Sequence, residues 1–398
     1  TAGPPSPPTS LSATTVSSSQ IDIKWSAPAN NGGSPITGYK VERYANSTWS
    51  TIVANTGTMS GAYSDKGLLP STTYTYRTSA INSAGTGQPS NTATATTLKA
   101  IHPVTLSQSG LVVSDSLTNE TKTQQQLQSN PRYWVYGGDA PEEHAQYDFF
   151  KDPKGLHVGA RAPANDTWAG YFAVSPNTNA MLFHSVLTTP VSILPYQFFE
   201  NGMYIQTSQP FVNYVTCVSV TGADGTEWAV VSTLGNASQA NQFNVLYVDP
   251  SPNQSLTRDC TIITNGSNYL KVYLDGNMVY NNSTMNLQMP EPLNTYLEPQ
   301  SSYPGKLLNG TYSDYYAATS ENIQVNNLPS GATRVDLVNS SGSVITSGTV
   351  ISGSATLDVG RYHFPLVANI KAYDSANSLI ASTSSVANIY GGDVYLSH

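Results

Sequence analysis

The sequence is short of charge, of cysteine and of long apolar runs. Lys, Arg, Asp and Glu make up 11% of its 398 residues, against about 25% in an ordinary soluble domain. The difference is filled by Ser, Thr, Asn, Tyr and Gly, the neutral polar surface common on secreted β proteins. Net charge is −8, with Lys and Arg scattered. Scattered bases argue against a nucleic-acid footprint. No segment approaches the ~18 consecutive apolar residues of a membrane-spanning helix. No signal peptide is recognisable either. Thr1 opens into a Pro-rich stretch, which suits a mature or trimmed secreted chain. HExxH, Gly-x-Ser-x-Gly, Walker and dinucleotide motifs are also absent, which removes common metalloprotease, esterase and nucleotide-enzyme classes.

Two cysteines occur, Cys217 and Cys260, both on apolar-alternating stretches. In a chain of secreted composition the expectation is a disulfide between two strands, with a pair of free buried thiols as the alternative. Tyr outnumbers Phe by 25 to 9, and tyrosine suits half-buried sheet faces and wet, glycan-facing surfaces. Ten Asn-X-Ser/Thr sequons are candidates for glycosylation, at Asn46, Asn119, Asn165, Asn236, Asn253, Asn265, Asn281, Asn282, Asn309 and Asn339.

The most legible stretch runs from Tyr269 to Tyr280. Leu270, Val272 and Leu274 share one face at period 2, and Tyr269, Lys271 and Tyr273 share the other. Asp275-Gly276 supplies the positive φ angles of a tight hairpin turn. Regularly spaced short strands with turn signals, and no helical period beyond a brief Gln-rich segment in 118–132, predict an all-β chain.

Three regions follow. In residues 1–98 the order is a Pro-rich start, Trp25 on an alternating strand, Ile36-Thr37-Gly38-Tyr39, Leu69 and Pro70 ahead of Tyr74, and Ala80-Ile81-Asn82-Ser83-Ala84-Gly85. This resembles a fibronectin type III domain. The resemblance implies a β-sandwich with a tyrosine corner at Tyr74, acting as a spacer. Thr78 departs from it, standing where a valine is usual, and the loop Asn82–Pro89 carries no Arg-Gly-Asp. Residues 99–325 resemble a concanavalin/laminin-G-like jelly roll, on the strand rhythm and the Tyr269–Tyr280 hairpin. Here Leu98–Pro103 is expected to be a junction and Ile323–Val325 to close the unit. Residues 326–398 resemble the small immunoglobulin-like or carboxypeptidase-regulatory-like β-sandwiches appended to archaeal and bacterial cell-surface proteins.

Chemistry is harder to find. The Glu-x-Asp-x-x-Glu strand of retaining jelly-roll glycosidases is absent. The stretch 139–152 is the most acidic and reads as a solvated loop, with Asp148 and Asp152 as weak calcium candidates. No other cofactor is expected. His144, His157 and His184 show no zinc-ligand spacing and read as structural. Trp134, Tyr136 and Trp168 are the candidates for a sugar-stacking platform, with Trp228 a further aromatic and Asp139 following in a Gly-rich loop. Trp134 and Tyr136 sit at i and i+2 of one strand, about 7 Å apart. The expectation is a secreted or cell-surface, non-catalytic binding or adhesion protein that engages an extracellular polysaccharide or cell-surface glycan. A self-associating subunit of an extracellular fibre or surface layer is the alternative, and a secreted glycoside hydrolase the second alternative.

Overall fold

A computed structural model describes residues 2–45, 47–103, 111–118, 121–129, 135–138, 146–161, 169–174, 179–190, 199–207, 213–222, 225–234, 242–250, 255–290, 292–302 and 307–397. Among them the one helix is Gln124–Ser129, and the rest of the regular structure is strand. The chain is all-β, as its alternation predicts.

The N-terminal module packs a three-stranded sheet (Thr9–Thr15, Gln20–Ser26, Ala62–Lys66) on a second sheet built around Gly38–Ala45 and Thr73–Asn82. Strand Gln20–Ser26 buries Ile21, Ile23 and Trp25 on alternate positions, the period-2 signature of a half-buried strand. Trp25 meets Tyr39 edge to face at 5.2 Å between ring centroids. The Leu69 backbone N–H donates to the Tyr74 hydroxyl at 3.0 Å, forming the tyrosine corner. Thr78 is fully buried, and the Ser90 hydroxyl accepts from its backbone N–H at 3.1 Å. The Thr78 hydroxyl reaches the same Ser90 hydroxyl at 3.5 Å, so the polar side chain is not left in a wholly apolar core. This module's core shares no residue with the rest of the molecule.

The central region is a two-sheet sandwich. One sheet has the order Val135–Gly138, Ala169–Val174, Leu293–Ser301, Phe199–Thr207, Tyr214–Gly222, Gly225–Leu234, Gln242–Val248. The other runs Gln146–Asp152, Gly155–Arg161, Leu308–Ala318, Leu182–Thr188, Thr257–Thr264, Leu270–Leu274, Asn277–Asn282, with Leu111–Asp115 also on Leu308–Ala318. Their inner faces form one core, from Phe149, Val158 and Phe183 on one side to Met203, Val230 and Leu297 on the other. Cys217 and Cys260 lie one on each sheet and are disulfide-bonded across it, Cα to Cα 6.5 Å. The hairpin forms as read, with φ of +49° at Asp275 and +71° at Gly276. Leu270, Val272 and Leu274 enter the core. The acidic stretch is different: Gln146–Asp152 is a strand, paired in register with Gly155–Arg161. Phe149 is buried inside it, and Lys151 donates to Asp115.

The third sheet has the order Val344–Thr349, Ala332–Val338, Leu366–Asp374, Leu379–Thr383, Lys99–Pro103, Val394–Ser397, Asn322–Asn326, Ala355–Asp358. Two segments therefore pair elsewhere than their sequence neighbourhood suggested. Lys99–Pro103, read as a junction, is a strand antiparallel to Val394–Ser397. Asn322–Asn326, read as closing the central unit, runs parallel to the other edge of that same strand. The central sandwich thus leaves and re-enters the third sheet on the two neighbours of one strand. The outer face of its eight-stranded sheet (Leu182, Ile263, Tyr273, Tyr316, Ala318) shares a core with Ile323, Val359 and Phe364 of the C-terminal module. Lys271, on the same face, pairs with Glu321.

Candidate functional site

The two outer faces of the central sandwich have opposite fates. One is sealed by the C-terminal module. The other, on the seven-stranded sheet, carries polar side chains with little exposure. Strand alternation sends Met203 and Ile205 inward and Glu200, Gly202, Tyr204 and Gln206 outward. On the neighbouring strand Leu293 and Leu297 go inward and Asn294, Tyr296, Glu298 and Gln300 outward. The register sets Tyr204 opposite Tyr296, Gly202 opposite Glu298 and Gln206 opposite Asn294. Glu200 and Glu298 are consequently diagonal neighbours on adjacent strands, about 7–8 Å apart at this kind of position.

Gly202 makes the arrangement fit. A Cβ there would stand 2.6 Å from the Tyr204 ring and 3.0 Å from Thr216 Oγ1, so the tyrosine ring lies across a bare backbone. The Tyr204 hydroxyl favours the charged form of Glu200, opposing the effect of burial on that carboxyl. The Tyr204 ring meets Tyr214 edge to face at 5.2 Å. The Gln300 amide donates to Glu298 Oε1 at 3.0 Å. Gln206, Asn294 and Glu298 are 5–8% exposed, and Asn294 Oδ1 has no hydrogen-bond partner among the described residues. Burial pushes the Glu200 carboxyl up, and the Tyr204 hydroxyl only partly opposes it. Burial also raises the Tyr204 and Tyr214 hydroxyls, reinforced by the negative charges of Glu200 and Glu298. The face combines a carboxyl whose pKa is raised by burial, a second carboxyl, amides and aromatic rings.

Tyr136 lies on Val135–Gly138, the edge strand of this sheet. Trp134, Asp139 and Trp168 fall outside the described residues. Trp228 is core: it is 2% exposed and donates its indole N–H to the Ser255 carbonyl at 3.0 Å. Asp148 and Asp152 are four residues apart on one strand, about 13 Å along it, and Asp152 is engaged by His157 Nε2 at 3.0 Å. Asn46, Asn119, Asn165, Asn236 and Asn253 lie outside the described residues. Of the other sequon asparagines, Asn281 is exposed, while Asn265, Asn282, Asn309 and Asn339 are partly covered.

A second cluster sits at the seam with the C-terminal module. His184, Asp259 and His363 bring one nitrogen or carboxylate oxygen each to within 4.8 Å of one another. His184 is 1% exposed and stacks on Tyr316 at 4.4 Å. Its Nδ1 lies 3.1 Å from Asp259 Oδ1 and 2.9 Å from Thr261 Oγ1. His363 Nε2 contacts the other oxygen of Asp259, and its Nδ1 lies 3.5 Å from Asp314. Asp314 is presented by a bulge opposite His184–Val186 and has a φ of +54°. Burial pushes His184 down to about 4. Hydrogen bonds to Asp259 and Asp314 raise His363 to about 10.

Sequence reading passed over both clusters. Glu298 stands in a strand buried on both faces, and His363 in a loop of another module. The one available signal was the alternation of Glu200, Tyr204 and Gln206 about Met203 and Ile205.

Among curated proteins, titin of Drosophila melanogaster is 42% identical over 90 residues, 22% of this chain and 0% of its own length to the nearest per cent. Exoglucanase B of Cellulomonas fimi is 35% identical over 95 residues, 24% of this chain. The chain spans 8% or less of the length of these relatives. A solved Fn3-like protein from Clostridium thermocellum is 28% identical, covering 23% of this chain and 90% of its own, with a TM-score of 0.20. The family description "Fibronectin type III domain" matches residues 6–96, and with the sandwich and tyrosine corner in place this part of the chain is a fibronectin type III domain.

Proposed function

We propose that the chain is an extracellular or cell-surface protein whose central sandwich, of concanavalin/laminin-G-like type, binds an extended polysaccharide on the outer face of the seven-stranded sheet. The fibronectin type III domain and an immunoglobulin-like C-terminal module would hold that sandwich in place. The observation that carries the reading is one layer of side chains in which Tyr204, Gln206, Asn294 and Glu298 are buried and Glu200 and Tyr214 half-buried. Sugar rings offer C–H faces to tyrosine rings and hydroxyls to carboxylates and amides, the mix of apolar walls and few placed polar groups found in ligand sites. The disulfide and the sequons support an oxidising compartment.

A second reading, glycoside hydrolysis, is favoured by one observation: Glu200 holds its proton above the ordinary carboxyl range beside a second carboxyl. Glycosidases need such a pair, one to protonate the leaving oxygen and one to assist the attack. Affinity electrophoresis through a panel of neutral polysaccharides tests the binding reading. The wild-type chain should be retarded by at least one, and Glu298→Gln should lose most of that retardation with unchanged melting. Release of reducing ends that Glu200→Gln abolishes would select the hydrolase. Neither retention nor release would sink both, leaving a structural subunit as the favoured account.

A further inference from the structure

We propose that His184, Asp259 and His363 form a binding site for one divalent first-row cation, of which Zn²⁺ is the type, joining the central sandwich to the C-terminal module. The residues fit in chemistry and in placement. Two imidazoles and one carboxylate are the donors that borderline cations take, and three protein ligands leave a fourth position for water. The ligands come from three separate segments, strands Leu182–Thr188 and Thr257–Thr264 and the loop carrying His363. Only the tertiary fold brings them within ligand distance.

The surroundings match a metal centre rather than an ordinary ion pair. His184 is held by stacking on Tyr316, and its Nδ1 faces Asp259. Its other nitrogen, Nε2, is buried with no hydrogen-bond partner among the described residues. A polar contact alone seldom justifies placing an imidazole so deep. His363 turns Nε2 toward Asp259 and Nδ1 toward Asp314. That is the carboxylate–histidine arrangement in which an outer carboxylate fixes the ring that binds the metal. The bulge at Asp314 has a role in this account: the extra residue delivers a carboxylate to the far side of His363. The His363 side chain is 52% exposed, which gives an ion a path in from solvent.

Isothermal titration with ZnCl₂ of the full chain, stripped with a chelator, tests the site. One ion per chain should bind, and saturating Zn²⁺ should raise the melting temperature, since an ion that binds only the folded form stabilises it. His363→Ala changes a loop residue and leaves the two strand ligands in place. It should weaken that binding event at least tenfold and abolish the melting shift. Asp314→Asn, which leaves all three ligands, should weaken binding on the order of 10-fold, the usual effect of an outer-shell change. Co²⁺ provides a signature that folding alone cannot mimic: intense visible bands in the wild type, lost in His363→Ala. Absence of stoichiometric binding would overturn the proposal. So would equal Zn²⁺ affinity in wild type and His363→Ala, because the ion would then sit on other side chains.

Discussion

Glu42 in the fibronectin domain and Glu200 in the central sandwich both project from strand faces into poorly hydrated surroundings, yet their carboxyl groups shift in opposite directions. Burial raises both. At Glu42 the Arg77 and Lys40 hydrogen bonds and charges outweigh it, and the carboxyl falls below its ordinary value. At Glu200 the opposing contribution is a tyrosine hydroxyl, which is too weak, and the carboxyl rises. Asp65, close by in the first domain, is likewise met by Arg43 and by the Tyr76 hydroxyl. The N-terminal domain thus sets its few cations against its carboxylates, which favours the folded state. The central face leaves Glu200 poised to hold a proton, an arrangement that contributes little to folding and is expected where a ligand is bound or transformed.

The two regions also differ in how their sheets are joined, and this gives the largest expected effect. The double change Cys217→Ser with Cys260→Ser opens a loop of 43 residues, and chain-entropy arithmetic puts the loss at about 4 kcal/mol. Calorimetry should show the transition of the central and C-terminal regions falling while that of the fibronectin domain stays put. If both fall together, the regions are not independent. Gly276→Val comes next. A β-branched residue at a φ of +71° should cost about 2 kcal/mol. Limited proteolysis should then release a stable fragment near residues 1–98. An unchanged melting profile would contradict the strain argument.

Glu42→Gln should lower only the fibronectin transition, by about 1–2 kcal/mol, because Arg77 and Lys40 lose an ionised partner. Glu200→Gln should have the smallest effect, and of opposite sign. Glu200 binds its proton more tightly folded than unfolded. Its contribution to stability is present below the ordinary glutamate value of 4.5 and is lost as pH rises through the raised value. The glutamine variant should therefore melt slightly above wild type at pH 7, and the two should converge in acid. A variant that melts below wild type at pH 7 would reverse the comparison and make Glu200 a stabilising anion.

Local rules were enough for the hairpin at Asp275-Gly276 and for the tyrosine corner at Tyr74, because in both the deciding contacts are a few residues apart. They were enough for Cys217 and Cys260, whose flanking alternation marks two buried strands. They were not enough for Leu293–Ser301. Eight of its nine residues are buried irrespective of face, Gln300 being the exception, so no period of 2 appears, and Glu298 stayed hidden with it. Gln146–Asp152 misled in the opposite sense. Its charges suggest water, but Lys151 is 4% exposed and bound to Asp115. His363 was beyond reach for a third reason: its partners on Thr257–Thr264 and Leu182–Thr188 belong to another module, and no spacing rule spans that distance. The legible features are those written in contiguous residues.

The strand Val394–Ser397 lies between Lys99–Pro103 and Asn322–Asn326, and this sets how the molecule carries mechanical load. Tension entering at residue 99 and leaving at residue 397 passes sideways through adjacent strands of one sheet. It does not run through the central sandwich, which departs after residue 103 and returns at residue 322. Lys99–Pro103 and Val394–Ser397 are antiparallel, so such a pull peels their hydrogen bonds one after another. The neighbouring contact of Lys99–Pro103 with Leu379–Thr383 is parallel and is loaded in shear, where several bonds must yield at once. Such a pull would open that peeled edge first, while the sandwich and its polar face stayed folded as a shielded side branch.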